Sequence, residues 1–260
     1  MTDKRTTPDP NYVDAHTPAR IVAPLVDLLD QPRGTRNRQL LFGDPVTILG
    51  AIDGFSYVRS DKDGYIGFVQ AEALGERTPV THRVSVLATH AYRSADIKSE
   101  DQATLSFGCN ITSLSETDEF VETALGFVPK VHVTSHKALE NDPVDVALRF
   151  IGTPYLWGGN SRLGLDCSGL VQAAFLACGI ECPGDSDQQR DAVGTKLPEG
   201  SEPRPRDLFF WPGHVAMAVD ARTMIHATGH FMSTVLEPIE KAKTRIDAAG
   251  EGPLLSHKRL

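Results

Sequence analysis

The run Asp166-Cys167-Ser168-Gly169-Leu170 reads as the start of a helix and puts a thiol at its first turn. At that position the unpaired backbone N–H groups and the positive end of the helix dipole favour a thiolate. The same N–H groups are placed to receive an oxyanion once the sulfur attacks a carbonyl. Forty-seven residues further on, Gly213-His214-Val215 opens an alternating run that continues through Ala216 and Ala218. Twelve residues after His214, Ile225-His226-Ala227 falls on what reads as the neighbouring strand. A thiol on a helix tip and two imidazoles on adjacent strands supply a nucleophile, a base and a group to orient the base. The plainer alternative for Cys167 alone is a buried cysteine that only packs.

The elements that must carry these groups follow from periodicity. Asp142-Pro143 is a helix start, with Val144, Ala147, Leu148 and Ile151 on one face and Gly152 as the stop. A second helix begins at about Cys167, with Leu170, Val171, Ala174 and Ala177 on one face and Gly179 ending it. A third begins near Asp185, and strands are expected over 207–211, 214–219, 223–227 and 254–260. Helices first and antiparallel strands after make an α+β domain over 138–260.

The text upstream is different in kind. Short β-rich runs at 45–49, 55–59 and 65–69 are separated by Asp53-Gly54 and Asp63-Gly64, both hairpin signals. Leu40-Leu41-Phe42-Gly43 resembles Leu105-Ser106-Phe107-Gly108, and Gly67-Phe68-Val69 echoes Gly126-Phe127-Val128. Either one small barrel occurs twice, or β-rich text resembles itself by chance. The repeat reading gives a disordered or loosely draped lead-in over 1–17, an all-β barrel over 18–78 and a second over 79–137, with the junction near Arg77–Val80.

Composition excludes several classes. The 260 residues hold 26 basic and 34 acidic side chains, a net charge of −8, with no dense Lys/Arg run. Nucleic acid and anionic membrane are therefore not expected partners. No stretch is long and apolar enough for a transmembrane helix, and the first residues lack the apolar centre of a secretory signal, so a cytoplasmic location is expected. Four cysteines do not make a disulfide scaffold. Cys178 and Cys182 have no second Cys/His pair at zinc-binding spacing, so neither a metal nor a cofactor is expected. Cys109 aligns with Asp44 in the repeat and reads as packing, while His230 sits in a Gly229-His230-Phe231 turn. His16, His82, His90, His132, His136 and His257 show no partner pattern.

Pro154-Tyr155-Leu156-Trp157-Gly158-Gly159, Asp166-Cys167-Ser168-Gly169-Leu170-Val171, Gly213-His214-Val215 and Ile225-His226-Ala227 together resemble the NlpC family of bacterial cell-wall cysteine peptidases. The resemblance covers about residues 138–260 and implies a papain-like fold that cleaves peptidoglycan stem peptides. It makes Cys167 the nucleophile, His214 the general base and acid, His226 the group orienting His214, and Tyr155 a neighbour of the oxyanion site. With two bacterial SH3-like barrels ahead of it, the chain is similar to γ-D-glutamyl-L-diamino-acid endopeptidases. That likeness implies short substrates with a free N-terminal L-Ala, cut between γ-linked D-Glu and lysine or diaminopimelate, as in murein peptide recycling.

The same likeness implies that Asp185-Ser186 and Tyr65 read the substrate's amine, and that Asp166, Ser168 and Trp157 touch substrate. Helix capping is the plainer role for Asp185, and Tyr57 or Tyr92 could stand in for Tyr65. Gly184 departs from the arginine that such relatives commonly carry. Two rival functions keep the residues but change the outcome. One is an amidase or acyltransferase of the same fold, and the other is a non-catalytic wall-fragment binding protein.

Overall fold

Asp53 and Gly54 both take positive φ, 51° and 82°, in the computed structural model, which describes residues 3–260. Such a two-residue turn matches the right-handed twist of the strands it joins. Those strands belong to the first of two compact units, Met1–Ala138 and Leu139–Leu260. The first barrel contains β1 (Thr17–Ile21), β2 (Leu25–Leu29), β3 (Arg36–Leu41), β4 (Pro45–Ile52), β5 (Phe55–Ser60), β6 (Ile66–Gln70) and β7 (Leu74–Glu76). They form an antiparallel sheet in the order β3-β2-β6-β5-β4-β1-β7, closed around Ile21, Leu28, Val46, Val58 and Val69.

The second barrel repeats the plan with shorter strands. These are β8 (His82–Val84), β9 (Ala88–Tyr92), β10 (Asp101–Ser106), β11 (Asn110–Ile111), β12 (Ser115–Glu116), β13 (Phe120–Thr123), β14 (Gly126–Pro129) and β15 (Val133–Ser135). They pair as β10-β9-β14-β13-β12 and β11-β8-β15 over a core that includes Val84, Leu105, Ile111 and Val121.

Backbone hydrogen bonds make the repeat explicit. Phe42, Gly43 and Asp44 donate to the carbonyls of Pro24, Ile21 and Leu41, and Phe107, Gly108 and Cys109 donate to those of Leu87, Val84 and Ser106. Gly43 and Gly108 hold the turn with φ of 77° and 85°. The following residue has diverged. Asp44 is tied to Lys62 at 2.7 Å, whereas Cys109 is fully buried in the second core.

The lead-in differs from the loose segment expected. Its first two residues lie outside the described residues. The rest runs over the first barrel through a 3₁₀ turn at Pro10–Tyr12. The Tyr12 ring meets Phe68 edge-on at 5.2 Å, and the Asp9 N–H donates to the Tyr57 hydroxyl at 3.0 Å. Arg5 accepts from the Ile66 N–H, and Asp14 and Ala15 donate to Leu49. An aromatic anchor and these main-chain bonds outweigh the polar composition of the segment.

The second unit contains α1 (Pro143–Leu148), β16 (Asn160–Ser161), β17 (Gly164–Leu165), α2 (Cys167–Ala177), α3 (Ser186–Ala192) and β18 (Thr195–Lys196). It continues with β19 (Leu208–Trp211), β20 (His214–Ala218), β21 (Thr223–Thr228), β22 (Ser233–Pro238), α4 (Ile239–Ala248) and β23 (Ser256–Arg259). Its main sheet runs β18-β23-β19-β20-β21-β22. Helix α2 is buried nearly all round and packs on α1, β20 and β21. Helix α4 lays Ile239, Ala242 and Ile246 on Phe209, Trp211, Ala216, Ala218 and Met224. The unit is α+β as expected, with α1 one turn shorter because the chain leaves the helix at Arg149, so Ile151 is exposed.

The two equivalent glycines give a graded test of the duplicated turn. A Cβ on Gly43 would lie 2.0 Å from the Asn110 carbonyl oxygen, whereas one on Gly108 would meet only the Leu41 side chain at 3.6 Å. Both pay the left-handed backbone penalty of about 1–2 kcal/mol, and only Gly43 adds an overlap with main chain. Gly43→Ala should therefore lower the denaturant midpoint clearly more than Gly108→Ala. Equal midpoints in urea melts would refute the packing argument.

Candidate active site

Asp166 is the N-cap of α2 and places Cys167 as the helix's first residue. One carboxylate oxygen of Asp166 accepts from the Gly169 N–H at 2.6 Å and the Ser168 hydroxyl at 3.0 Å; the other accepts from the Gly158 N–H at 3.0 Å. The helix tip must come close to the preceding loop, because a Cβ on Gly169 would lie 2.6 Å from the Gly159 carbonyl oxygen. That loop is itself clamped. Tyr155 donates its N–H to Met232, Leu165 donates to Pro154, and Thr234 donates to Thr153.

The Cys167 thiol lies 3.8 Å from the Gly213 carbonyl oxygen, at the turn that opens β20. Backbone N–H groups of Val215, Ser168 and Cys167 itself face the sulfur and favour its anion. They do not prevail. Burial, aided by the Asp166 charge, pushes the thiol up to about 12. The expectation that the helix end lowers the thiol pKa is therefore corrected: desolvation outweighs the dipole at this position.

The imidazoles stand where alternation on β20 and β21 puts them. His214 Nε2 lies 2.9 Å from His226 Nδ1. Burial is the main cause that lowers both, His214 to about 3 and His226 to about 4, with the charges of His226 and Arg245 adding to the first and that of Arg245 to the second. Burial thus favours the neutral forms of the thiol and of both imidazoles.

Two charged side chains not anticipated from the sequence complete the rear of the site. Glu237 on β22 lies 3.1 Å from His226 Nε2, although the ring N–H is not aimed straight at the oxygen. Arg245 on α4 grips the same carboxylate through Nε at 3.0 Å and Nη2 at 2.8 Å. Their signal was the alternation of 233–238, followed by apolar residues at 239, 242 and 246.

Among the other residues singled out, Tyr155 is half-buried, and burial followed by the Cys167 and Asp166 charges raises its phenol. Ser168 is buried and Trp157 is exposed. Asp185 forms a capping box with Gln188 at the start of α3, beside Ser186, so the capping geometry is present. One turn along, the Gln189 side chain donates to the Ser168 carbonyl at 2.9 Å, which ties α3 to the nucleophile's helix. Tyr65 lies in the first unit, buried in its barrel core with the Arg38 guanidinium 5.6 Å from its ring centroid. Tyr57 is buried under Tyr12, and Tyr92 packs edge-on to Phe120. His257, expected to lack a partner, is 2.8 Å from Asp207 and stacks on Phe209, and His132 meets Thr89 at 2.8 Å.

Two family models match the chain. One, described as the NlpC/P60 family, matches residues 152–245, and the other, a bacterial dipeptidyl-peptidase Sh3 domain, matches residues 28–74. Dipeptidyl-peptidase 6 of Lysinibacillus sphaericus is 38% identical over 104 residues, which is 38% of this chain and 37% of that protein. The γ-D-glutamyl-L-lysine dipeptidyl-peptidase of Bacillus subtilis (strain 168) is 29% identical over 216 residues, 73% of this chain and 71% of the relative. The solved structure of an NlpC/P60 family protein from Bacillus cereus ATCC 10987 aligns over 94% of this chain and 99% of its own, with a TM-score of 0.78 at 19% identity. That likeness shows the shared fold.

The depressed imidazoles fix the sign of a stability change. An unfolded histidine takes up its proton near pH 6.5, whereas His226 resists until about pH 4. Its contribution is complete above pH 6.5 and is lost as pH falls toward 4, on the order of 2 kcal/mol between pH 7 and 5. Thermal melts should drop by several degrees over that range, and less so in His226→Asn. For the thiol, iodoacetamide should alkylate Cys167 at pH 7 more slowly than it alkylates a free cysteine peptide. Faster alkylation would show that the thiolate is present at rest.

Proposed function

The chain belongs to the NlpC/P60 family of cysteine peptidases, with a bacterial SH3 domain ahead of the catalytic domain, and on that footing we propose that it is a γ-D-glutamyl-L-diamino-acid endopeptidase. Its substrates in this reading are free peptidoglycan stem peptides with an N-terminal L-Ala. The observation that carries it is a thiol at the tip of α2, faced by three backbone N–H groups, in the same unit as an imidazole pair bonded at 2.9 Å.

The chemistry is acyl transfer to water. His214 takes the Cys167 proton as the sulfur attacks the γ-carbonyl of D-Glu, and the oxyanion forms near the N–H groups at the helix tip, with Tyr155 beside them. Burial favours neutral resting groups, and His226 and Glu237 face the charge of the imidazolium once it forms. His214 then protonates the amine of the diamino acid, which leaves. Water, deprotonated by His214, attacks the thioester and releases L-Ala-D-Glu.

Specificity for a free amine is assigned to a carboxylate. Asp185 sits on a helix anchored by Gln189 to Ser168, so its position is coupled to that of Cys167. An ammonium facing it makes a charge-assisted contact that an acetylated terminus cannot make. In this proposal Trp157, Ser168, Asp166 and Ser186 lie against the rest of the peptide. A gate of this kind suits small peptides already released from the wall, and their recycling in the cytoplasm is the setting we propose.

The test is cleavage of L-Ala-γ-D-Glu-L-Lys and its diaminopimelate counterpart, each with a free or an acetylated N-terminus, followed by mass spectrometry. Free-amine peptides should be cut at least about tenfold faster, given that a hydrogen bond to a charged group contributes about 1.5–3 kcal/mol. Cys167→Ala should abolish turnover, and Asp185→Asn should raise KM for the free-amine substrate. Equal cleavage of free and acetylated peptides would remove the amine gate, and cleavage of neither would remove the substrate class.

A further inference from the structure

The register of β21 against β22 sets a carboxylate behind the second histidine. His226 lies opposite Val235 and Met224 opposite Glu237, so Glu237 and His226 share a face as diagonal neighbours. We propose that Glu237 is a positioning residue: held by Arg245, it keeps His226 in the Nε2–H tautomer, so that His226 Nδ1 remains an acceptor for His214 Nε2–H. This rests on the reading of Cys167 and His214 as nucleophile and base.

The argument is one of hydrogen counting. A neutral imidazole has one nitrogen that donates and one that accepts. His214 commits Nε2 to His226 Nδ1 at 2.9 Å, which leaves its Nδ1 as the nitrogen for the thiol proton. Nδ1 can accept that proton only if the hydrogen of His214 sits on Nε2, and that hydrogen needs a bare Nδ1 on His226. The single hydrogen of His226 must then lie on its Nε2, 3.1 Å from a Glu237 oxygen.

A carboxylate can only accept, so it selects this tautomer and no other. Arg245 binds both carboxylate oxygens and fixes their orientation, while the Phe231 ring lies 5.5 Å from the guanidinium. His226 is fully buried and Glu237 nearly so, which makes this carboxylate the partner that decides the proton's position. With the opposite tautomer, N–H groups of the two rings would face each other. His214 would then turn its hydrogen toward the thiol and could not act as a base.

The experiment pairs kinetics with ¹⁵N-edited spectra of labelled histidines in the full chain. Glu237→Met combined with Arg245→Met removes both charges while keeping apolar bulk, so no buried charge is left unpaired. In that double variant kcat for the free-amine peptide should fall at least about tenfold with KM within about twofold, as when an orienting carboxylate is lost from a serine triad. The spectra should show His226 leaving the Nε2–H form. Glu237→Gln, which restores an acceptor oxygen, should bring back the Nε2–H signal and at least about threefold of the lost kcat.

A double variant with kcat within twofold of the parent and an unchanged His226 tautomer would overturn the proposal. Should the parent chain cut no γ-glutamyl peptide, the proposed function falls. The tautomer spectrum then still decides the role of Glu237, because it needs no substrate.

Discussion

The Asp166 carboxylate is the fixed point of the second unit. It binds the Gly158 N–H from the loop before it, and the Gly169 N–H and Ser168 hydroxyl from the helix after it. Loop, strand end and helix tip therefore cannot shift independently, and the Cys167 sulfur sits at their junction. The arrangement has an electrostatic penalty. A carboxylate this close opposes a thiolate and joins burial in holding the sulfur protonated. Fixed geometry is gained at the expense of a pre-formed nucleophile, so activation must come from the reacting complex.

The sheet makes the matching contribution from the other side. Antiparallel register on β20, β21 and β22 brings His214, His226 and Glu237 into one line, and α4 closes it with Arg245. His214 is bonded to His226 and Glu237 to Arg245, while His226 Nε2 and a Glu237 oxygen lie 3.1 Å apart without a well-aimed hydrogen bond. A single-residue slip of β22 would turn Glu237 to the opposite face, so the strand's alternation and the site's polarity depend on each other.

Much of this was legible in the residue order. Asp142-Pro143 and Asp166-Cys167 marked helix starts because capping chemistry is local, and the Asp53-Gly54 turn followed from backbone φ preferences. The repeated Phe-Gly turns were visible because both copies need a glycine at positive φ. Glu237 and Arg245 were not legible. Eight residues apart, they meet across a strand-to-helix turn, and neither strand pairing nor helix docking is written locally. The lead-in misled for the opposite reason: its polar composition hid Tyr12, whose packing against Phe68 is a tertiary fact. The thiol's protonation also escaped the sequence, since burial is set by the whole unit.

The path of the lead-in has a further consequence for the first barrel. Between Ile48 and Gly50 the pairing of β4 with β5 shifts by one residue, and Leu49 sits at that bulge. Its carbonyl oxygen accepts from both Asp14 and Ala15, while the Arg5 carbonyl takes the Ile66 N–H beyond the single pairing of β2 with β6. The segment ahead of β1 thus works as a missing rung at two irregular places in the ladder. A chain trimmed at Thr17 would present open main-chain groups beside an aromatic surface, the kind of seam on which a second chain's strand can template.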